Sequence, residues 1–260
     1  MKKVLLITVC FMFLIVNIGN AAIKKHQIKK HSVIKNAKNI SWGYSGAGSP
    51  ENWGKLDKSF SICSEGKNQS PVNLTAFVKT AIKNIYFNYN TYAAEILNNG
   101  HAIEVNYSNG STITVDKTTF ELKKIIFHAP SENTVEGRSY PMEAQLIHSD
   151  KHGNIAIIAV LLTEGSENEF IKTLWTQLPK KSGEKNSLAE RLNVNNMLPM
   201  DRHYFRFSGS LTTPPCTEGV RWFIFKNAIT ISKEQIKTFT DVMHDNNRPV
   251  QQINGRVILR

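Results

Sequence analysis

From about residue 85 onward the chain runs through short apolar or alternating segments separated by polar turns, the period-two signature of strands. The segments are IYFNY, AAEIL, AIEVNY, STITVD, KIIFH, EAQLIH, IAIIAVLL, HYFRFSG, RWFIF and RVILR. Asn99-Gly100 and Asn109-Gly110 separate several of them in the manner of hairpin turns. Two helices interrupt the series. The run SENE at 166–169 reads as a capping box opening a helix with Phe170, Ile171, Leu174, Trp175 and Leu178 on its apolar side. Ser232 with Gln235 opens the other, turning Ile236, Phe239 and Met243 inward. Residues 179–199 show no clear period, and the expectation there is an irregular surface connection. No repeat or heptad breaks the series, so the prediction is a mainly β protein with a single domain over 40–260.

The N-terminus follows a different pattern. Lys2 and Lys3 precede an apolar run over 4–18, and Gly19-Asn20-Ala21 closes it with small residues. This is the layout of a cleaved signal peptide over 1–21, and the run is short for a membrane span. Cys10 lies inside the run, which argues against a lipoprotein anchor. The chain is therefore expected to be exported, to the periplasm or beyond. Composition agrees with a soluble mature protein, at 41% hydrophobic and 20% charged residues.

Export changes how charge and cysteine are read. The formal +11 falls to +9 once Lys2 and Lys3 leave, and six of those charges are lysines between 22 and 38, where no acid occurs. Basicity is thus a property of a linker over 22–39. Such a tail suits contact with an envelope polyanion, although a solvated linker is the plainer reading. No aromatic residue interleaves with these lysines, so no nucleic-acid partner is expected. Cys63 and Cys216 remain as the two thiols of an exported chain, which invites one disulfide. Closing so long a loop is worth roughly 4–5 kcal/mol in the chain-entropy model. Neither cysteine has a neighbour at metal-ligand spacing.

Candidate chemistry gathers in two places. Over 124–148, strand alternation puts Lys124, Ile126 and His128 on one face of the first strand and Glu143, Gln145 and Ile147 on one face of the second. In the loop GSLTTPPCTEGVRW at 209–222, Thr212 and Thr213 precede Pro214-Pro215, which stiffen the segment. A hydroxyl held there can accept one hydrogen bond and donate another.

The motifs WGYSGAGSPENW, NQSPVNL, LNNGHAIEV, FHAPSENT, GSLTTPPCTEGVRW and NNRPVQ, in that order, make the chain resemble exported bacterial carbonic anhydrases of the alpha class. The resemblance covers roughly 40–258. It implies a large, twisted, mostly antiparallel sheet with a few peripheral helices and a conical pocket, and a Cys63–Cys216 bridge like the family's. It also implies catalytic zinc on three histidines, of which His128 matches one, while Ile126 and Gln145 fall at the other two positions. Thr212 matches the threonine that orients zinc-bound hydroxide, and Glu132 the glutamate accepting its hydrogen bond. Glu143 matches the carboxylate behind a ligand histidine, and His101 the proton shuttle. Ile147, Ile157 and Leu211 match the apolar wall of the substrate pocket, and Thr213 the second threonine of the loop.

Catalytic zinc takes about three protein ligands plus a water whose pKa falls to about 7. Isoleucine has no lone pair, and a neutral amide replaces imidazole poorly on zinc. The expectation is weak or absent zinc and impaired CO2 hydration, the scaffold serving instead as a binding module for a small neutral or anionic ligand. The alternative is an active carbonic anhydrase, converting CO2 reversibly to bicarbonate, with zinc rescued by ligands such as His101 or Glu132. His148 points away from Gln145 by alternation and reads as structural; His152, His203 and His244 read as surface or outer-layer residues.

Overall fold

The structure, a computed structural model, describes residues 41–260. The signal-peptide and linker assignments lie outside the described residues. Strands come first in the chain after a set of short helical turns. The first is β1 (Asn73–Leu74), followed by β2 (Tyr86–Asn88), β3 (Ala93–Asn98), β4 (Ile103–Tyr107) and β5 (Thr112–Val115). Then come β6 (Thr118–His128), β7 (Thr134–Val135), β8 (Met142–Ser149) and β9 (Ile155–Glu164). After a helix at Glu169–Trp175 follow β10 (Lys185–Ser187), β11 (Tyr204–Ser210), β12 (Glu218–Phe225) and β13 (Ile229–Ile231). A last helix spans Lys233–Met243.

Eleven strands form one sheet with the order β10-β3-β4-β6-β8-β9-β12-β11, while β13, β2 and β5 pair off that path. Eight of its ten strand pairings are antiparallel; β12 and β13 pair with β9 in parallel. Asn99-Gly100 joins β3 to β4 as a hairpin, whereas at Asn109-Gly110 the chain turns between β4 and β5, which both pair with β6 and not with each other. Gly100 lies at φ 85° and Gly110 at φ 118°, conformations in which a side chain would be strained.

Alternation along the central strands splits the interior in two. On one face Ile125, Phe127, Ala144, Leu146, Ile158 and Val160 pack beneath the two helices with Phe170, Leu174 and Phe239. On the other, Ile157, Ala159, Leu161, Val220 and Trp222 form a second cluster, against which Ile147 and Leu211 pack. Burial on both faces explains why β9 reads as the unbroken run IAIIAVLL.

Three further local expectations are corrected. The first helix takes Asn168 as its cap, accepting from the Ile171 N–H, and begins at Glu169 instead of after a box at Ser166. The stretch 179–199 is more ordered than its pattern suggested: β10 pairs with β3, and Leu192, Val194, Met197 and Leu198 are buried. RVILR forms no strand; Leu259 alone makes isolated bridges, to Val78 and Arg206. The helix at Ser232 carries the full capping box with Gln235.

Candidate functional site

Strands β6 and β8 set the floor of the second face. Their antiparallel register places Ile126 opposite Gln145 and His128 opposite Glu143. Residues directly opposite share a face, so the four side chains are brought together as alternation predicts. The row continues through Ile147 opposite Ile157 and Ile157 beside Trp222. Ile147, Ile157 and Leu211 thus meet in one apolar wall.

The polar atoms of the floor are nearly all committed. His128 Nδ1 lies 2.7 Å from the Asn246 carbonyl, and since a carbonyl only accepts, Nδ1 carries the proton. Gln145 Nε2 donates to Glu132 Oε2 at 2.7 Å and to Glu143 Oε1 at 3.0 Å. Both amide hydrogens are spent, which turns the Gln145 carbonyl oxygen away from the carboxylates. Glu143 also accepts from the Asn133 backbone N–H and side-chain amide, each at 2.8 Å. Glu132 Oε1 accepts from the Arg248 N–H at 2.9 Å. The Thr212 hydroxyl bonds to neither Glu132 oxygen among the described residues, in contrast to the pairing expected of them; the Gln145 amide occupies Glu132 Oε2.

Two buried side-chain atoms lack partners among the described residues: His128 Nε2 and the Tyr44 hydroxyl. His128 Nε2 stands 3.5 Å from Glu132 Oε2 without hydrogen-bond geometry. Burial, and then the charge of Glu132, push Tyr44 above the usual phenol range. The same two causes, in the same order, raise Glu143 to about 7, against the pull of the Asn133 N–H.

The surrounding segments are held by one network. The guanidinium of buried Arg248 donates to Gln69, to the Ser70 carbonyl and to the Cys63 carbonyl. Burial lowers it to about 10, opposed by Glu132. Cys63 and Cys216 form the expected disulfide across 153 residues. The Cys216 N–H donates to the Thr213 carbonyl at 2.9 Å, which fixes the loop carrying buried Thr212 and half-buried Thr213. His101 is not on the floor: its ring stacks on Trp42 at 3.7 Å, and burial lowers its pKa. Among the described residues, no group of three His, Cys, Asp or Glu side chains is placed to hold a metal ion.

His148 lies on the opposite face, fully buried, bonded to the Tyr89 hydroxyl at 2.8 Å and the Leu146 carbonyl at 2.9 Å. Burial drives it down to about 3. His152, His203 and His244 are exposed. Residue typing missed Tyr44, Asn133, Asn246 and Arg248. Asn246 and Arg248 sit in the quoted motif NNRPVQ, and Tyr44 in WGYSG, so the signal was present without an assigned role.

The family model described as eukaryotic-type carbonic anhydrase matches residues 48–260. A carbonic anhydrase of Pectobacterium atrosepticum is 41% identical over 221 residues, covering 85% of this chain and 91% of that protein. Among solved structures, a hyperthermostable carbonic anhydrase from an active hydrothermal vent chimney is 46% identical with a TM-score of 0.83, covering 84% of this chain and 99% of its own. Dioscorin, solved in complex with ascorbate, is 28% identical with a TM-score of 0.79, over 84% of this chain and 97% of its own.

Proposed function

The chain belongs to the carbonic anhydrase family, and from that premise we propose that it is an exported binding protein whose zinc-dependent CO2 hydration is impaired or lost. The family uses zinc. In this reading Ile126, His128 and Gln145 stand at the three ligand positions, and the residues present do not fit the metal. Ile126 contributes no lone pair. The Gln145 amide is locked between Glu132 and Glu143, at 2.7 Å and 3.0 Å. That lock is the observation on which the reading rests: with no lone pair on Ile126, it leaves one imidazole nitrogen, His128 Nε2, and one neutral amide oxygen, a poor zinc ligand, where about three protein ligands are needed. Loss of a group that merely orients a ligand already costs roughly 10–100-fold.

Under this reading Thr212, Thr213, Glu132, Glu143 and His101 form the lining of a pocket whose ligand also meets Ile147, Ile157 and Leu211. Dioscorin's complex with ascorbate supports a binding role for this scaffold. The lysine-rich segment over 22–38 would add contact with an envelope polyanion.

A second reading, an active hydratase, is favoured by 41–46% identity to proteins named carbonic anhydrase. It requires rescue of the metal by His101 or Glu132. His101 is stacked on Trp42, and both Glu132 oxygens already accept hydrogen bonds.

A CO2 hydration assay beside the zinc content of the purified chain separates the two. The expected result is turnover near the uncatalysed background and far less than one zinc per chain; stoichiometric zinc with fast turnover refutes the binding-protein reading. The tail contribution is tested by deleting residues 22–38, which should reduce retention on anionic envelope polymer.

A further inference from the structure

We propose that a cavity of about 640 Å³, lined from residues 80–87 and 200–204 together with Lys226 and Arg260, is a binding site for a small aromatic carboxylate. It shares no residue with the floor of β6 and β8, and it stands whether or not that floor holds zinc. The volume is that of an ordinary small-molecule site. Its two sides are tied together where the Tyr204 hydroxyl, at the start of β11, donates to the Lys83 carbonyl ahead of β2.

Three cations line the cavity, and each is carried on an aromatic ring. The Arg202 guanidinium lies 4.7 Å from the centre of Phe87, Lys226 Nζ 5.5 Å from that of Phe205, and the Arg260 guanidinium 4.8 Å from that of Phe77. Phe77 and Phe205 stack on one another at 4.6 Å, so Lys226 and Arg260 rest on one pair of rings. None of the three cations forms an ion pair among the described residues. Cations held in this way lose less side-chain freedom when an anion arrives. Two carboxylates oppose them. Asp201 is already met by the His203 imidazole and backbone N–H and by the Asn227 amide, and the Arg260 carboxylate accepts the Thr80 N–H at 3.1 Å. The balance favours an anion.

An inorganic anion would leave the rest of the cavity unused. Ile82, Ile85 and Phe87 give it an apolar wall. Met200 at 102% and Tyr86 at 74% are the two most exposed large hydrophobic side chains among the described residues, and both line this cavity. Apolar exposure gathered at one place marks a surface that a ligand covers. A planar ring suits it, since it stacks on Tyr86 and meets the Met200 sulfur. A carboxylate on that ring takes paired N–H donors from arginine.

The test uses the full chain with carbon-13 in its methionine methyl groups, the Met200 signal being identified by its loss in Met200→Leu. Benzoate is titrated at fixed pH and ionic strength, beside benzyl alcohol, cyclohexanecarboxylate, acetate and inorganic phosphate. Benzoate should shift the Met200 signal saturably at about millimolar concentration or below. It should bind at least about tenfold tighter than the alcohol, acetate or phosphate, and tighter than cyclohexanecarboxylate. Arg202→Gln with Lys226→Gln should weaken benzoate at least about tenfold while leaving the other methionine signals in place. Equal binding of any of the four competitors, no saturable shift of Met200, or undiminished benzoate binding by a folded double variant would each overturn the site. The comparison of ligands on the unmodified chain decides the matter even if that variant does not fold. A Met200 signal that moves with protein concentration alone, with a rise in mass on sedimentation, would show that a second copy of the chain covers this surface and would overturn the site as well.

Discussion

Two buried histidines on adjacent strands, His128 on β6 and His148 on β8, face opposite sides of the same sheet. Both are at 1% exposure or less. His148 has a partner on each nitrogen, Tyr89 on one and Leu146 on the other. His128 has one, the Asn246 carbonyl, and keeps Nε2 unpaired. An unmade bond at a buried polar atom costs on the order of 1–3 kcal/mol, so a sheet that closes one histidine completely and leaves the other open separates a structural role from a site.

The largest test of that difference is to give the open side its missing nitrogens. Ile126→His with Gln145→His should raise zinc occupancy toward one per chain and CO2 hydration by about a thousandfold or more, read by stopped-flow hydration. Unchanged hydration would mean that the pocket differs from an active one in more than these two side chains.

Next in size is His148→Leu, which strands the Tyr89 hydroxyl and the Leu146 carbonyl in the core. Urea unfolding should show a loss of about 2–5 kcal/mol. His128→Leu strands only the Asn246 carbonyl and removes an atom that was already unpaired, so about 1–2 kcal/mol is expected from the same measurement. Equal losses would erase the comparison.

The smallest effect is in pH dependence. His148 is lowered from 6.5 to about 3, so the unfolded chain binds its proton first, and stability is lost as pH falls from 6.5 toward 3. Glu143 is raised from 4.5 to about 7, so the folded chain holds its proton longer, and stability is lost as pH rises from 4.5 through 7. The two slopes oppose one another between 4.5 and 6.5. From these groups, thermal scans should give a plateau there, with declines of a few degrees on either side. Glu143→Gln should remove the alkaline decline and, with the opposing slope gone, turn the plateau into a decline that begins as pH falls below 6.5.

Much of this arrangement was legible in the sequence. Alternation placed Ile126, His128, Glu143 and Gln145 on shared faces and His148 on the other, because strand period is a local property. The core strands were legible for the same reason. The stretch 179–199 was not, since Leu192, Val194 and Met197 are buried by contacts with distant strands and follow no period of their own. RVILR carries a strand's pattern, but only Leu259 bridges, to Val78 and Arg206; Ile258 and Arg260 bond the backbone at Val78 and Thr80 without forming a strand. The closure of Glu132 by Gln145 and Arg248, 13 and 116 residues away, depends on tertiary geometry that no spacing encodes. Residue identity named the members of the site; only the folded chain set which hydrogen bonds they make.

The most direct measurement is a zinc competition titration of the unmodified chain against a chromophoric chelator of about nanomolar affinity, about 12 kcal/mol and so within the roughly 10–16 kcal/mol range of structural zinc sites. The chelator should take all the zinc, leaving none bound to the protein. One equivalent of zinc retained by the chain against the chelator, and lost in His128→Leu, would contradict the claim that Ile126 and Gln145 have closed this pocket to the metal.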